Sequence, residues 1–157
     1  MKISEQVITK INNVLMMNYE AEKIYSDASD LVMDDDLKTF FREQSFERND
    51  FIRALKKEIT KLGEEPQDFD RLNRLSSRYH MIWKNVRPLL KEGAERELLD
   101  QVCNVKQWSI DNYNSLLQEI NLSLSLCKLL VGQRDKLHVT MNTIKANRAL
   151  TVSRLKV

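Results

Sequence analysis

The sequence predicts an all-α protein made of a few long helices, and three observations predict it. The 157 residues include three glycines and two prolines, where average usage would give roughly eleven and eight. Sandwiches, barrels and doubly wound sheets need Gly and Pro for their many turns. Apolar residues also recur every three to four positions along most of the chain, the period of a helix with one buried face. Finally, the few breakers fall between those periodic segments: Gly63 and Pro66, then Pro88 and Gly93. Only Gly132 lies inside one, where it is expected to permit close packing. With 42% hydrophobic and 31% charged residues, the chain has the composition of a soluble domain. Its length suits one core rather than two. A single domain over 1–150 with a basic tail at 151–157 is the expected organisation.

Each element follows from its stripe. At ~100° per residue, Ile3, Val7, Val14, Asn18, Ala21, Tyr25, Ala28 and Val32 share one face of a first helix. Asp34, Asp35 and Asp36 read as the cap and first turn of a second, where negative charge offsets the helix dipole. That helix presents Leu37, Phe41, Gln44, Arg48, Phe51, Leu55, Ile59 and Leu62, and stops at Gly63. A shorter segment over 68–90 carries Leu72, Leu75, Tyr79, Ile82, Trp83, Val86 and Leu90, with Pro88 expected to bend or end it. A fourth runs from about Ala94 to Asn121 with Leu98, Val102, Val105, Ser109, Tyr113, Leu116 and Ile120 inward. After a link capped by Ser123 or Ser125, a fifth buries Leu130, Leu137, Met141 and Ile144.

Two long helices, a shorter crossover and two more long helices form the connectivity of ferritin-like bundles rather than of a plain up-and-down bundle. The run LKTFFREQSFERNDFIRALKKEITKLGEEP, preceded by EAEKIYSDASD and followed by YHMIWKNVRPLL, resembles an uncharacterised bacterial family of the ferritin-like four-helix-bundle superfamily. A Tyr-containing first helix and an LxxxF…R…F second helix ending in a Leu-Gly-Glu-Pro-like turn carry the resemblance. It covers most of residues 3–145 and is strongest across the second helix. The resemblance implies a fold with a helical crossover between the second and third helices of the bundle, and it implies no activity.

The chemistry that this fold class usually carries is a carboxylate-bridged di-metal centre, built from inward Glu and Glu-x-x-His pairs. Glu22, Glu47 with Asp50, and Asp135 with His138 are the available pieces. Only Glu22 falls near an apolar face, ~70° from its centre; Glu47 lies about 90° off, and Asp50 and Asp135 point to solvent. Lys106 occupies the inward position where a ligand carboxylate would be wanted, and an ammonium repels a divalent cation. A degenerate metal site is therefore expected, with no cofactor; iron or manganese enters only if the chain is instead a di-metal-binding oxidoreductase or a metal-storage protein.

The seam carries a polar layer instead: Asn18, Glu22, Gln44, Arg48, Lys106, Ser109, Gln133 and Arg134. Arg48 falls at the centre of its helix's apolar stripe, where a guanidinium must be paired. A Glu22–Arg48 ion pair is expected, with the Tyr25 or Tyr113 hydroxyl nearby. The layer reads either as a register device or as an anion pocket of Arg48, Lys106 and Arg134.

Motifs for other chemistry are missing from the sequence. No GxGxxG, GxxxxGK[ST] or GxSxG motif occurs. Cys103 and Cys127 form no CxxC pair, and two histidines, His80 and His138, give no zinc spacing. Trp83 is expected in the core, while Trp108 falls off its helix's face, exposed or covered by a partner. Net charge is +2 overall, but residues 134–157 carry +5 and the rest −3. A basic tail suits a helix C-terminus, so nucleic acid is not an expected partner. MKISEQVITK lacks a signal-peptide core, and the longest apolar run, Leu122 to Val131, is broken by serines and Lys128. A cytoplasmic, non-enzymatic structural or interaction module is expected, acting by self-association or on a protein partner.

Overall fold

The computed structural model describes residues 4–68 and 74–146. Ile3, Leu72 and the tail 151–157 lie outside them. All regular structure among the described residues is helical: α1 (Glu5–Leu31), α2 (Asp35–Lys61), α3 (Ser77–Glu92), α4 (Glu95–Leu117) and α5 (Leu124–Ala146).

Local chemistry sets most of these limits. Ser4 caps α1 by accepting from Val7 N–H, and Asp34 caps α2 by accepting from Leu37 N–H at 2.9 Å. At the end of α2, Gly63 takes φ +81°. There Gly63 N–H reaches Thr60 C=O and Glu64 N–H reaches Ile59 C=O, a Schellman closure that satisfies the last carbonyls. Gly93, at φ +62°, closes α3 in the same way. Ser123 rather than Ser125 caps α5, accepting from Leu126 N–H. The Ser125 hydroxyl donates instead to Glu58 on α2, at 2.6 Å.

Four expectations are corrected. The crossover helix begins at Ser77, not near 68, and Leu75 precedes it, half-buried against the core. Its start is fixed from outside: the buried Glu20 carboxylate of α1 accepts from Ser76 N–H at 2.6 Å and from its hydroxyl at 2.9 Å. Held there, Ser76 stays extended and caps α3. Second, α3 does not end at Pro88 but continues through it to Glu92. The carbonyl that loses its donor belongs to Lys84, and both residues are exposed, so water can satisfy it. Third, α4 ends at Leu117, and the turn through Asn121 at φ +68° leaves Ile120 78% exposed. Fourth, Gly132 is exposed, and a Cβ there would meet nothing within 4 Å. It assists no close packing.

The long helices pack α1 on α2, α2 on α5, α5 on α4 and α4 on α1, around a shared core; α3 lies against α1 and α4. Cross-helix contacts fix the directions. Tyr25 stacks on Phe41 while Asn18 meets Arg48, so α1 and α2 are antiparallel. Lys10 reaches Ser115 and Asn18 reaches Tyr113, which sets α4 antiparallel to α1. Phe51 and Glu58 on α2 meet Gln133 and Ser125 on α5, again antiparallel. It follows that α2 and α4 run the same way. The described part of the return between them is α3, which starts beside Glu20 of α1 and ends just before α4. Trp83 and Trp108 are both half-buried against the core.

Gly132→Ala is expected to raise the unfolding free energy by about 1 kcal/mol, because it adds helix propensity in open space. Gly93→Ala, which must keep a positive φ, is expected to lower it by at least about 1 kcal/mol. Urea denaturation of both variants measures the contrast.

Candidate functional site: a buried cationic layer

Where α1, α2, α4 and α5 meet, polar groups replace the apolar packing. Arg48 and Lys106 have no exposed surface, and Asn18, Ser109 and Tyr113 have none either. Asn18 is the junction. Its amide nitrogen donates to Val14 C=O at 2.9 Å and to the Tyr113 hydroxyl at 3.0 Å, and its carbonyl accepts from Arg48 Nη1 at 3.0 Å. The Tyr113 hydroxyl in turn donates to Gln133 Oε1 at 2.6 Å, and Gln133 Nε2 donates to Phe51 C=O. One chain of hydrogen bonds thus crosses all four long helices. Ser109 stays out of it, donating to Val105 C=O one turn back.

Lys106 donates to Gln44 Oε1 at 2.6 Å. Its Nζ lies 5.7 Å from the centroid of the Tyr25 ring, and Arg48 Cζ lies 6.0 Å from it. A ring's negative face attracts cations, so Tyr25 is the shared neighbour of both. Two expected members lie elsewhere. Glu22 is half-buried and accepts from Ser45 Oγ at 3.0 Å, so the expected Glu22–Arg48 pair does not form. Arg134 sits at the α4–α5 edge on Asn114 and Asp135, and none of its hydrogen bonds joins the layer. Gln44 is brought in, at the half-exposed rim.

The acid closest to the layer in effect is Glu47, which the helical wheel places to one side. Its carboxylate acts on Tyr25, Lys106 and Tyr113 through charge, although it makes no ion pair with Arg48 or Lys106. The wheel fixes a Cα direction to within tens of degrees, and a Glu side chain is long enough to turn back inward. Glu20 is the second polar residue that the pattern misses. Its partner Ser76 is fifty-six positions away, so no local signal could reveal it.

Burial dominates the electrostatics. It lowers Lys106 from 10.5 to about 7, and the nearby Arg48 charge lowers it further, against opposing contributions from Glu47 and Cys103. Lys106 therefore gives up its proton far more readily than an exposed lysine does. Burial raises Tyr25 and Tyr113 to about 12, with Arg48 pulling both down. Arg48 also lies close to the Tyr25 hydroxyl, yet no hydrogen bond of regular geometry joins them. Among the described residues, no group of three or more His, Cys, Asp and Glu could hold a metal ion. Asp50 and Asp135 are exposed, and His138 is half-buried on α5. Cys103 is a buried thiol beside Met141 C=O, and Cys127 is a half-buried one.

Comparison with known proteins decides the family. Residues 6–119 match the model of the domain of unknown function DUF2383. The chain belongs to that family. No curated protein and no solved structure matches it significantly. The DUF2383 segment covers α1 to α4 and contains Asn18, Tyr25, Arg48, Lys106 and Tyr113. Gln133, which completes the layer from α5, lies beyond it. Among the described residues of this DUF2383 chain, no helix is long and apolar enough to cross a membrane.

Tyr113→Phe removes the link between Asn18 and Gln133 and is expected to cost about 1–3 kcal/mol, measurable by denaturant titration. The layer also predicts a pH profile. Between about 7 and 10.5 the unfolded chain still holds the Lys106 proton while the folded chain has released it, so stability rises with pH. Above about 10 the unfolded tyrosines ionise while Tyr25 and Tyr113 stay protonated to about 12, so stability falls. Lys106→Met is expected to abolish the rise and leave the fall, read as the difference between the two proteins' unfolding free energies across pH 6–11.

Proposed function

We propose that this DUF2383 protein is a ferritin-like four-helix bundle whose central layer is cationic where that fold class carries its metals, and that it serves as a non-enzymatic structural or interaction module. The observation that carries the reading is the full burial of Arg48 and Lys106 at the four-helix junction. A di-metal centre needs converging carboxylates and imidazoles, and two cations there oppose a divalent ion. The ferritin-like assignment is supported by direction: α2 and α4 run the same way and a crossover containing α3 joins them, as the one-crossover bundles require. In this reading the Asn18–Tyr113–Gln133 chain sets helix register. Exposed apolar side chains such as Phe46 (58%) and Val139 (66%) serve self-association or a protein partner. A cytoplasmic bacterial setting is part of the same reading.

Metal analysis tests it. Protein purified from iron- and manganese-supplemented cells is expected to carry substoichiometric amounts of both. One or two ions per chain would overturn the reading in favour of an oxidoreductase or metal-storage protein. For association, sedimentation velocity is expected to show a concentration-dependent dimer that Phe46→Glu weakens; a monomer at all concentrations would exclude self-association.

A further inference from the structure

The layer leaves part of its binding capacity unused. Arg48 donates to Asn18 through Nη1 alone, and its Nε and Nη2 have no protein partner although the side chain is fully buried. Those two N–H groups lie on one edge of the guanidinium and project in parallel, the arrangement that grips two coplanar oxygens at once. The Tyr25 hydroxyl, also buried and without a partner, belongs to the ring that both cations share. Neither Arg48 nor Lys106 forms an ion pair with a described residue. Tyr25 also lines a small, mostly apolar cleft between α1, α2, α3 and α4, beside Val86 and Gln101; Arg48 and Lys106 are not part of its lining.

We propose that the free edge of Arg48, with the Tyr25 hydroxyl and the neighbouring Lys106, is a binding site for one small monovalent oxyanion with two coplanar oxygens, the class of formate, bicarbonate and nitrate. A buried guanidinium with unmatched donors is costly, and such an anion satisfies both donors and the charge in one step. Geometry sets the class: two parallel donors match two coplanar oxygens of one anion. Glu47 is the competitor inside the protein. Its Oε1 is buried and unpartnered too, and its charge opposes an incoming anion. The register role of the Asn18–Tyr113–Gln133 chain does not depend on this site.

The test is a thermal-melting and calorimetric titration of the full chain with sodium formate, sodium bicarbonate and sodium nitrate, against sodium fluoride at equal ionic strength. A saturable rise in Tm is expected with at least one of the three and none with fluoride; the anion that saturates lowest identifies the natural class member. Arg48→Met is expected to weaken that binding about tenfold or more. Arg48→Lys, which keeps the charge but loses the fork, should do the same and covers the case in which the Met variant fails to fold. Glu47→Gln is expected to strengthen binding several-fold. No saturable rise with any oxyanion, or an equal rise in wild type and Arg48→Lys, would overturn the proposal. So would a formate-soaked crystal with Glu47 on the Arg48 fork.

Discussion

The burial of Arg48 is the constraint on which the centre of this molecule depends. Burying a guanidinium is costly in proportion to the donors left unmet, and here Nη1 is met by Asn18. Asn18 can serve Arg48 only because its own amide is held by Val14 and Tyr113. Tyr113 in turn needs Gln133. The charge on α2 therefore dictates a polar residue on α1, a tyrosine on α4 and a glutamine on α5. Shifting any of these helices by one turn breaks the sequence of donors and acceptors. Apolar packing alone tolerates such shifts better, because it is not directional.

Lys106 shows how the core tolerates a second cation. Burial lowers its pKa to about 7, so the ammonium can shed its proton rather than carry a charge beside Arg48. Neutral or charged, it keeps its donor to Gln44. Away from the layer, two carboxylates tie element ends to the bundle. Glu20 holds the first residue before α3, and Glu58 receives the Ser125 hydroxyl and the Lys61 ammonium near the start of α5. Both are buried acids that serve the chain's connections rather than the central layer.

Much of the fold was legible because helices are written locally. The stripe from Val7 to Val32 is buried at every described position, and Asp34 and Gly63 bound α2 as their chemistry demands. The errors have a common cause. Ser76 is fixed by Glu20 from another helix, so periodicity alone started α3 too early. Pro88 was tolerated because Lys84 faces solvent, and the solvent-facing side of a helix is decided by what packs on its other side. Ile120 continued a stripe that the turn at Asn121 had already ended. The central layer was half legible. Asn18, Arg48, Lys106 and Gln133 follow from their places on apolar faces. Glu22 and Arg134 sat close enough to those faces to be included, and side-chain reach carried them outward.

The sequence by itself determined the helical class, four long amphipathic segments and a crossover, and the presence of polar residues in the core. Those properties depend on composition, on a 3.6-residue period and on caps within a few residues of one another. Only the tertiary structure decided who meets whom. Arg48 pairs with Asn18 rather than Glu22, Glu47 turns inward, and the Nε–Nη2 edge of Arg48 is left without a protein partner. Partner choice across helices depends on their relative height and direction, which no single helix encodes. Gly132 makes the same point in reverse. In sequence it looks like a contact between helices, and in the structure it faces open space.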